Sequence, residues 1–352
     1  MCFLIPGFGD GGAQKQCIYL LNELQSRDDV AVDLIHFHPG THDHLLRRDK
    51  LRTTRIECSS NYDPRNILKL AIRLHEIRPD ILFSWLHACD VYAFFAKRSV
   101  KNMTWLMAER DSDYPADLRY WIRRHLGRHA DGIVSNSEMG AEYWQRAGAT
   151  GRQFVIPNIV YRESHVTKSH GDREKMVIFA GRLEAQKNVV AMTYAFCRLA
   201  QDMPDWRFLL LGEGSLRTRL EEIVSDAGIG DRVRLLGFRR DIASYLARAR
   251  LVVSLSHHEG LPNTILESIA SGVLVVASDI PEHRALLGAE YPYYVRDRDD
   301  VVACTRAIQM ALYCNEAGSV LSHAQERIDQ MAPENVVRSY MEIFNTMAER
   351  PS

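Results

Sequence analysis

Short apolar runs alternate with segments of helical periodicity along the first half of the chain. The apolar runs have the length and composition of buried strands, and they lie at 2–5, 31–37, 81–84, 103–107, 132–135 and 153–156. Between them, apolar residues recur with the period of a helix, which predicts helices at 12–26, 65–77, 89–98, 116–128 and 138–146. This regular alternation indicates a parallel sheet wound by right-handed crossovers.

A polar stretch at 157–174 interrupts the pattern and has no periodicity of its own, so we interpret it as interdomain linker. Alternation then resumes, with strands predicted at 176–180, 207–211, 233–235, 250–254 and 273–277. The predicted helices of this half lie at 189–201, 215–227, 240–247, 263–271, 299–313 and 334–348. We therefore expect α/β domains over 1–160 and 175–333, a linker over 161–174, and a terminal helix within 334–352 that packs back on the first domain.

The composition narrows the class of protein. A length of 352 residues suits two domains, and 46% hydrophobic with 25% charged residues excludes disordered, collagen-like and coiled-coil chains. The 44 basic and 45 acidic side chains give a net charge of -1, so we expect no nucleic-acid partner. The seven cysteines never form a C-x-x-C pair, no apolar run approaches the ~18 residues of a membrane span, and residues 1–5 lack the basic segment of a signal peptide. We expect a cytoplasmic protein.

Basic side chains nevertheless cluster twice in the first half. One cluster comprises Arg47, Arg48, Lys50, Arg52 and Arg55, and the other, beside Tyr120 and Trp121, comprises Arg119, Arg123, Arg124, His125 and Arg128. Such runs are usually solvated surface. The other interpretation is a patch for anionic lipid headgroups, where each basic side chain adds about 1 kcal/mol. That patch would make the protein peripheral on the inner face of the cell membrane.

A glycine-rich loop follows the first predicted strand, with Gly7, Gly9 and Gly12 in the spacing G-x-G-x-x-G. Such a loop lets the backbone approach a phosphate beside a helix N-terminus. A nicotinamide site would also need an acidic residue at the end of the second strand, but Asp33 lies in the middle of that strand. A phosphate-bearing ligand, a plain tight turn and a nicotinamide cofactor therefore remain open, in that order.

Three loops of the second half carry candidate chemistry at strand ends, where open α/β sheets bind ligands. In the first, Gly181 allows a sharp turn, and Arg182 and Lys187 flank the start of the next helix, as a diphosphate site requires. Both cations could instead simply point into solvent. The second and third loops, which contain Gly212 and the segment Gly237, Phe238 and Arg239, could hold a flat base or a ribose against the backbone.

The strongest segment runs from His258 to Glu267 and follows the predicted strand at 250–254. Pro262 and Asn263 are good helix-start residues, so Glu259 lies in the loop and Glu267 one turn inside the helix. Two carboxylates can accept hydrogen bonds from the hydroxyls of sugars and riboses. The alternative is a loop charge at Glu259 and a solvent-facing helix residue at Glu267.

Together these residues resemble a known family. Two glutamates with seven residues between them, the G-R-x(4)-K pattern that begins at Gly181, and the glycine-rich first loop are similar to the retaining nucleotide-sugar glycosyltransferases of family 4. The resemblance covers nearly the whole chain in the right order. It implies the GT-B fold, in which a Rossmann-like domain over 1–160 that binds the acceptor faces a Rossmann-like domain over 175–333 that binds the nucleotide sugar across a central cleft.

The resemblance also implies roles for single residues. Glu267 would bind the ribose, Glu259 the donor sugar, and Arg182 and Lys187 the diphosphate, while His87 matches the family's histidine near the transferred sugar. A structural histidine at a strand end is the alternative for His87. The remaining donor-binding residues would be Gly12, Gly181, Gly237, Phe238, Arg239, Gly260, Leu261, Asn263 and Thr264.

The implied reaction moves a hexose or N-acetylhexosamine from a nucleotide sugar, by family habit UDP-linked, to a lipid-linked glycan in cell-surface polysaccharide synthesis. We expect no cofactor and no metal, and we interpret the D-x-D at Asp111 as an acceptor-side loop. The sequence departs from the family where the loop 278–283 lacks a Gly-Gly and where Asn158-Ile159 replaces Asn-Gly. A same-fold sugar-nucleotide epimerase and a non-catalytic nucleotide-sugar-binding protein are the alternatives.

Overall fold

The chain divides into two compact units. The computed structural model describes residues 1–9, 11–60, 63–111, 114, 116–162, 170–314 and 316–348. The first unit consists of Met1–Ile159 together with Pro333–Ser352, and the second of Val160–Ala332.

The first unit contains a parallel sheet in which seven strands lie in the order β3-β2-β1-β4-β5-β6-β7 among the described residues. Its central strands are buried along their whole length, as a parallel sheet covered on both faces requires. The strands are β1 (Cys2–Ile5), β2 (Asp33–His36), β3 (Arg52–Arg55), β4 (Ile81–Trp85), β5 (Thr104–Glu109), β6 (Gly132–Ser135) and β7 (Arg152–Val155). The helices between them are α1 (Gly12–Leu24), α2 (Arg65–Ile77), α3 (His87–Lys97), α4 (Leu118–Gly127) and α5 (Glu138–Arg146).

The second unit repeats this architecture with a smaller parallel sheet, in which the described strands lie in the order β10-β9-β8-β11-β12-β13. They are β8 (Glu174–Ala180), β9 (Arg207–Leu211), β10 (Val233–Gly237), β11 (Ala249–Ser254), β12 (Leu274–Ser278) and β13 (Tyr294–Val295). Its helices are α6 (Val189–Asp202), α7 (Arg217–Asp226), α8 (Ile242–Leu246), α9 (Asn263–Ala270), α10 (Pro281–Leu287), α11 (Val301–Leu312) and α12 (Ala317–Asp329).

The last helix, α13 (Pro333–Ala348), belongs to the first unit. The rings of Tyr340 and Phe344 pack on Phe83 of β4, with centroid distances of 6.1 and 5.8 Å. The guanidinium of Arg110 donates to the Tyr340 hydroxyl at 2.6 Å. Both ends of the described chain therefore contribute to one unit. In the described part of the chain, no helix is long and apolar enough to cross a bilayer.

The apolar periodicity of the sequence predicts most of these elements but not β3, α10, α12 and β13. Strand β3 reads Arg-Thr-Thr-Arg, so no apolar residue marks it, and it forms because its backbone pairs with β2 at the sheet edge. Strand β13 has two residues, and α12 is mostly polar. Elements that depend on neighbours rather than on their own apolar pattern leave little signal in the sequence.

Part of the predicted linker has a fixed structure. Arg173 is buried, and its guanidinium donates to the carbonyl of Leu246 at 2.9 Å and to that of Ser271 at 2.6 Å. These carbonyls lie at the C-terminal ends of α8 and α9, whose last carbonyls have no partner within the helix. Residues 163–169 of the predicted linker lie outside the described residues.

Candidate functional site

The candidate site of the second unit begins where the tips of β8, β9 and β10 meet. The N–H of Gly181 donates to the carbonyl of Leu211 at 2.9 Å, and the N–H of Gly212 donates to that of Gly237 at 2.8 Å. At Gly212, where φ is 145°, a Cβ atom would lie 1.8 Å from the carbonyl oxygen of Gly181. Glycine is therefore required for this contact, and the structure brings three of the predicted loops together.

Lys187 and Glu259, predicted separately, form an ion pair. Lys187 Nζ lies 2.5 Å from Glu259 Oε1, and Ser256 Oγ donates to the same oxygen at 2.6 Å. Lys187 ends a single 3-10 turn, and Asn188 reverses the chain behind it with φ at 51°. The two loops thus present a cation and an anion side by side.

The charge state of Glu259 follows from these contacts. Burial by itself raises the pKa of this carboxyl, but the charge and hydrogen bond of Lys187 and the hydrogen bond of Ser256 lower it further than burial raises it. The net shift is downward from the ordinary glutamate value. Glu259 is therefore an ionised hydrogen-bond acceptor at neutral pH.

Gln186 connects the same two loops and orients Arg182. Its side-chain oxygen accepts from Arg182 at 3.0 Å, and its Nε2 donates to the carbonyl of His258 at 3.1 Å. Its own carbonyl accepts from the N–H of His257 at 2.8 Å. Sequence reasoning did not single out Gln186, although its place beside Lys187 in the loop could have suggested it.

Helix α9 is fixed to the tip of β8 by Thr264, whose hydroxyl donates to the carbonyl of Ala180 at 2.8 Å. Its first turn therefore opens beside Gly181, with the positive end of the helix dipole at that edge. Glu267 is half-buried one turn after Asn263. Of the remaining predicted donor residues, Gly260 is buried in the loop before α9, and Leu261, Phe238 and Arg239 are half-buried.

A second layer behind Glu259 was not predicted. The N–H of Glu259 donates to Glu282 Oε1 at 3.3 Å, and the carbonyl of Ser256 accepts from Ser278 Oγ at 2.6 Å. His283 is fully buried, with Nδ1 2.9 Å from the carbonyl oxygen of Ser278. Ser278 ends β12, and Glu282 and His283 follow it in the segment where the family's Gly-Gly is missing, so the sequence drew attention to the segment but not to its buried polar groups.

The buried imidazole of His283 predicts a pH dependence of stability. Burial lowers the pKa of His283 to about 4, against the partly compensating charge of Glu259, whereas an unfolded histidine titrates near ~6.5. The unfolded chain therefore binds one more proton between these values. The stabilisation is complete above about pH 6.5 and is lost as the pH falls to about 4, by on the order of 3 kcal/mol. His283→Asn keeps a donor near Nδ1 without titrating, so urea unfolding across this range should give a shallower pH slope. An identical slope in wild type and variant would contradict the assignment.

Two predicted site residues, Gly12 and His87, lie in the first unit. Gly12 is the first residue of α1, directly after the glycine-rich loop, of which Asp10 lies outside the described residues. His87 opens α3 behind β4 and is half-buried. Burial, followed by the charges of Arg123 and Arg119, lowers its pKa, so His87 is neutral at physiological pH.

The backbone before His87 is strained. Leu86 has φ of 70° and ψ of 152°, a region that is almost exclusive to glycine and costs an L-residue about 1–3 kcal/mol. The carbonyl of Leu86 accepts from the N–H groups of Cys89 and Asp90 at 3.0 and 3.2 Å, which fixes the turn to the first turn of α3. The strained residue therefore determines where His87 points.

The interpretation of the second basic cluster as a surface patch is wrong for Arg123. This side chain is only 4% exposed, and it donates to Asp90 Oδ2 at 2.7 Å and to Glu109 Oε2 at 2.9 Å. The two carboxylates are themselves buried, at 1% and 0% exposure. Two buried anions require a buried cation, and the helical position of Arg123 points it inward while Arg124 is exposed.

Three of the five side chains in the first basic cluster pair with carboxylates, among them Arg47, which lies 3.8 Å from Glu23. Lys50 Nζ lies 2.6 Å from Asp28, and Arg52 lies 2.8 Å from Asp33. The Arg52–Asp33 pair also counts against a nicotinamide cofactor. Asp33 is the first residue of β2 and is already paired, whereas β2 ends at His36, so no acidic residue ends this strand for a ribose.

No group of three or more His, Cys, Asp or Glu side chains that could hold a metal ion occurs among the described residues. Of the D-x-D segment, Asp111 is described, whereas Ser112 and Asp113 lie outside the described residues. The acceptor-side interpretation of this loop stays a prediction.

Family models match both units. The model for Glycosyltransferase Family 4 matches residues 10–163, and the model for Glycosyl transferases group 1 matches residues 174–313. The second match contains every candidate site residue of the second unit.

Relatives and solved structures agree with this assignment along the whole chain. An α-1,4-N-acetyl-D-galactosaminyltransferase of Campylobacter jejuni that acts on a diphospho-undecaprenol-linked glycan is 22% identical, with 97% of each chain covered. The lipopolysaccharide core biosynthesis glycosyltransferase LpsE of Rhizobium meliloti is 26% identical over 95% of this chain and 96% of its own. Anabaena HepE, solved with UDP and glucose, superposes with a TM-score of 0.82 at 18% identity, covering 98% of this chain and 99% of that one. The fold is therefore GT-B, and the chain belongs to the group 1 glycosyltransferases of family 4.

Proposed function

We propose that this glycosyltransferase moves a hexose or N-acetylhexosamine from a UDP-linked donor to a lipid-linked glycan in cell-surface polysaccharide synthesis. The observation that carries the proposal is the Lys187–Glu259 pair, 2.5 Å apart, in loops that meet the start of α9. Lys187 supplies a cation for the diphosphate, and the ionised Glu259 supplies an acceptor for sugar hydroxyls. The diphosphate and the sugar are adjacent in a nucleotide sugar. Lys187 and Glu259 are adjacent in the same way, and each has a charge that suits its part of the donor.

We infer that the reaction retains anomeric configuration, as the resemblance to family 4 implies, and that it needs no metal, for which the two cations of the donor loops are the support. The bond between the sugar C1 and the diphosphate oxygen breaks while the acceptor oxygen bonds to C1 on the same face. The acceptor's proton passes to the leaving phosphate oxygen. Negative charge grows on the diphosphate, where Arg182, Lys187 and the first amides of α9 stabilise it. No nucleophilic side chain is needed in this scheme.

The preference for UDP rests on structural neighbours. HepE was solved with UDP-glucose as well as with UDP, and superposes on 98% of this chain. Glu267, half-buried on α9, would accept hydrogen bonds from the ribose hydroxyls.

Glu267→Ala should weaken UDP binding by about 1–3 kcal/mol, because two ribose hydroxyls lose a charged acceptor. Isothermal titration calorimetry with UDP measures the change. The matched control is Glu326→Ala, an exposed glutamate of α12 that should leave the affinity unchanged. Equal affinities in wild type and Glu267→Ala would reject the ribose assignment.

The acceptor class rests on relatives. The Campylobacter enzyme acts on an undecaprenol-linked glycan, and LpsE takes part in lipopolysaccharide core synthesis. A panel of nucleotide sugars, incubated with and without undecaprenyl-diphosphate-linked acceptors, tests the whole proposal. Acceptor-dependent UDP release with an α-linked product from an α-linked donor supports it. Inversion at C2 of the donor sugar indicates an epimerase, and tight binding without turnover indicates a binding protein.

A lipid-linked acceptor implies contact with a membrane, and helix α4 offers the surface for it. Leu118 and Trp121 are 69% and 54% exposed, and the exposed cation Arg124 lies beside them, whereas Arg119 is paired with Asp117 at 2.7 Å. Helix α2 packs on α3, as α4 does, and it also exposes an apolar side chain, Leu68. Apolar side chains flanked by cations suit an anionic lipid surface.

The variant Leu118→Ser/Trp121→Ser/Arg124→Glu should reduce co-sedimentation with vesicles that contain phosphatidylglycerol and leave donor hydrolysis intact. Arg123 is left unchanged in this variant, because its replacement would change the stability of the first unit rather than its surface. The matched control is Val302→Ser/Met310→Ser, which removes two exposed apolar side chains from α11. Equal co-sedimentation of the α4 variant and wild type would contradict the membrane surface.

A further inference from the structure

Three rings form a row in the first unit. The Tyr120 ring lies 4.7 Å from the Tyr114 ring and 5.6 Å from the His87 ring, centroid to centroid. All three residues are only partly covered, and Tyr120, in the middle, is contributed by α4. We call His87, Tyr120 and Tyr114 the ring row.

The ring row lies where its sheet would bind a ligand. His87 follows β4 after the single residue Leu86, and Tyr114 follows β5 in the loop before α4. Strands β4 and β5 are parallel neighbours at the centre of the sheet, so both residues lie at the same carboxyl edge. Ligands of open α/β sheets bind outside this edge.

Buried charged side chains hold the ring row in place. The Tyr114 hydroxyl donates to Glu109, which also accepts from Trp144 Nε1 at 2.6 Å and from Arg123 at 2.9 Å. The Arg123 guanidinium lies 5.0 Å from the centroid of the Tyr114 ring, so it contacts the face of that ring. Its other carboxylate partner, Asp90, lies in the first turn of α3, three residues after His87. The buried Arg123 therefore fixes two neighbours of Tyr120. These are helix α3, which begins with His87, and the ring of Tyr114.

The strained turn at Leu86 is a second feature that indicates a ligand site here. Strain of this kind persists where the surrounding structure enforces it, and it concentrates at ligand sites. The strained residue leads directly into the first turn of α3, which places the His87 ring 5.6 Å from the Tyr120 ring. The row thus combines partly open rings, an enforced backbone and a rigid buried support.

We propose that Tyr120, beside His87, is a stacking subsite for a sugar ring of the acceptor, and that Arg123 is its positioning residue. The Tyr114 and His87 rings and the Arg119 guanidinium, 5.7 Å from the ring centroid, cover only part of Tyr120. The open part of the ring is an apolar surface for the C–H face of a pyranose, and the neutral imidazole at its edge exchanges hydrogen bonds with sugar hydroxyls. The proposal rests on the proposed function, because it names a residue that recognises the acceptor of that reaction. Arg123 acts through Glu109 and Asp90 and touches no substrate.

The test uses the full chain labelled with ¹³C-histidine and titrated with methyl α-D-glucopyranoside and with methyl N-acetyl-α-D-galactosaminide. At least one sugar should shift the His87 ring resonances, assigned through His87→Gln. Tyr120→Leu should weaken that binding about five- to tenfold, whereas Tyr120→Phe keeps the ring and should bind like wild type. Tyr313→Leu, an exposed tyrosine in the second unit, is the matched control and should have no effect.

The positioning role is tested with Arg123→Lys, which keeps the buried charge but loses the two-carboxylate geometry. It should shift the His87 resonances without ligand and raise the acceptor KM severalfold, while UDP affinity in the second unit stays unchanged. Unperturbed His87 resonances in Arg123→Lys would overturn this role. The subsite is overturned if neither sugar shifts His87, if Tyr120→Leu binds like wild type, or if UDP shifts His87 and the sugars do not. If sugars bind at Tyr120 but no donor is turned over, the proposed function fails and the subsite stands.

Discussion

Replacing Lys187 with alanine is expected to lower kcat by about 10²–10³-fold, because the growing charge on the diphosphate loses a preorganised cation. Donor affinity should fall less, since that charge is only partly developed in the ground state. The structure adds a second consequence. Glu259, 7% exposed, loses its ion-pair partner, and an unpaired buried carboxylate costs about 3–5 kcal/mol when its partner is removed. Steady-state kinetics and urea unfolding of the same variant measure the two effects.

Controls separate catalysis from folding. Lys187→Met/Glu259→Gln removes both charges, so it should recover much of the lost stability but none of the lost kcat. Lys175→Ala removes an exposed lysine of the same unit, paired with Asp205 at 3.1 Å, and should change neither quantity. EDTA should leave the wild-type rate unchanged. A Lys187→Ala enzyme with wild-type kcat would remove Lys187 from the mechanism, and a rate lost to EDTA would show that a metal takes part.

Replacing Arg123 with methionine is expected to destabilise the first unit by about 3–5 kcal/mol. Methionine replaces the aliphatic stem of the arginine but not its guanidinium, so most of the loss comes from Asp90 and Glu109, which stay buried without their cation. Burial already raises the pKa of Asp90 to about 6 with Arg123 in place. Without the arginine, the buried Asp90 carboxyl would take up a proton at still higher pH in the folded state, so the variant should regain stability as the pH is lowered towards about 5.

Arg124→Met is the control, because it makes the same change one position along α4 at an exposed residue. Its free energy of unfolding should stay within about 0.5 kcal/mol of wild type. Urea unfolding followed by tryptophan fluorescence reports mainly on the first unit, which contains Trp85, Trp105, Trp121 and Trp144, whereas the second unit contains Trp206. Equal stabilities of the two variants would show that the buried carboxylates do not depend on Arg123.

The contrast between Arg123 and Arg124 shows what the sequence could not predict. Both residues belong to one basic run, and their opposite burial depends on carboxylates at Asp90 and Glu109 that are distant in the chain. The loop motifs were easier, because Gly181, Lys187 and Glu259 each follow a strand with a clear apolar pattern. Parallel strands then bring such loops to one edge without further information.

Supporting residues were harder to predict than the residues that they support. Ser256, Gln186 and Glu282 act through single hydrogen bonds, and a polar residue in a loop has no pattern that distinguishes a hydrogen-bonded role from a solvated one. His283 is hidden for the same reason, because its burial follows from α10, a helix too short to show periodicity. Leu86 gave no signal, since leucine does not normally occupy a backbone region that favours glycine.

The path of α13 has a consequence for how the protein is made. The ribosome delivers Pro333–Ala348 only after the whole of Val160–Ala332 has been synthesised, although the helix belongs to the unit that was begun first. During that interval the rings of Tyr340 and Phe344 are not yet available to cover Phe83. The second unit, contiguous in sequence, can complete its core before the first, which reverses the usual order of folding from the N-terminus. A fragment of residues 1–159 alone would carry an uncovered apolar surface at β4, and a fragment for separate study needs α13 joined back to it.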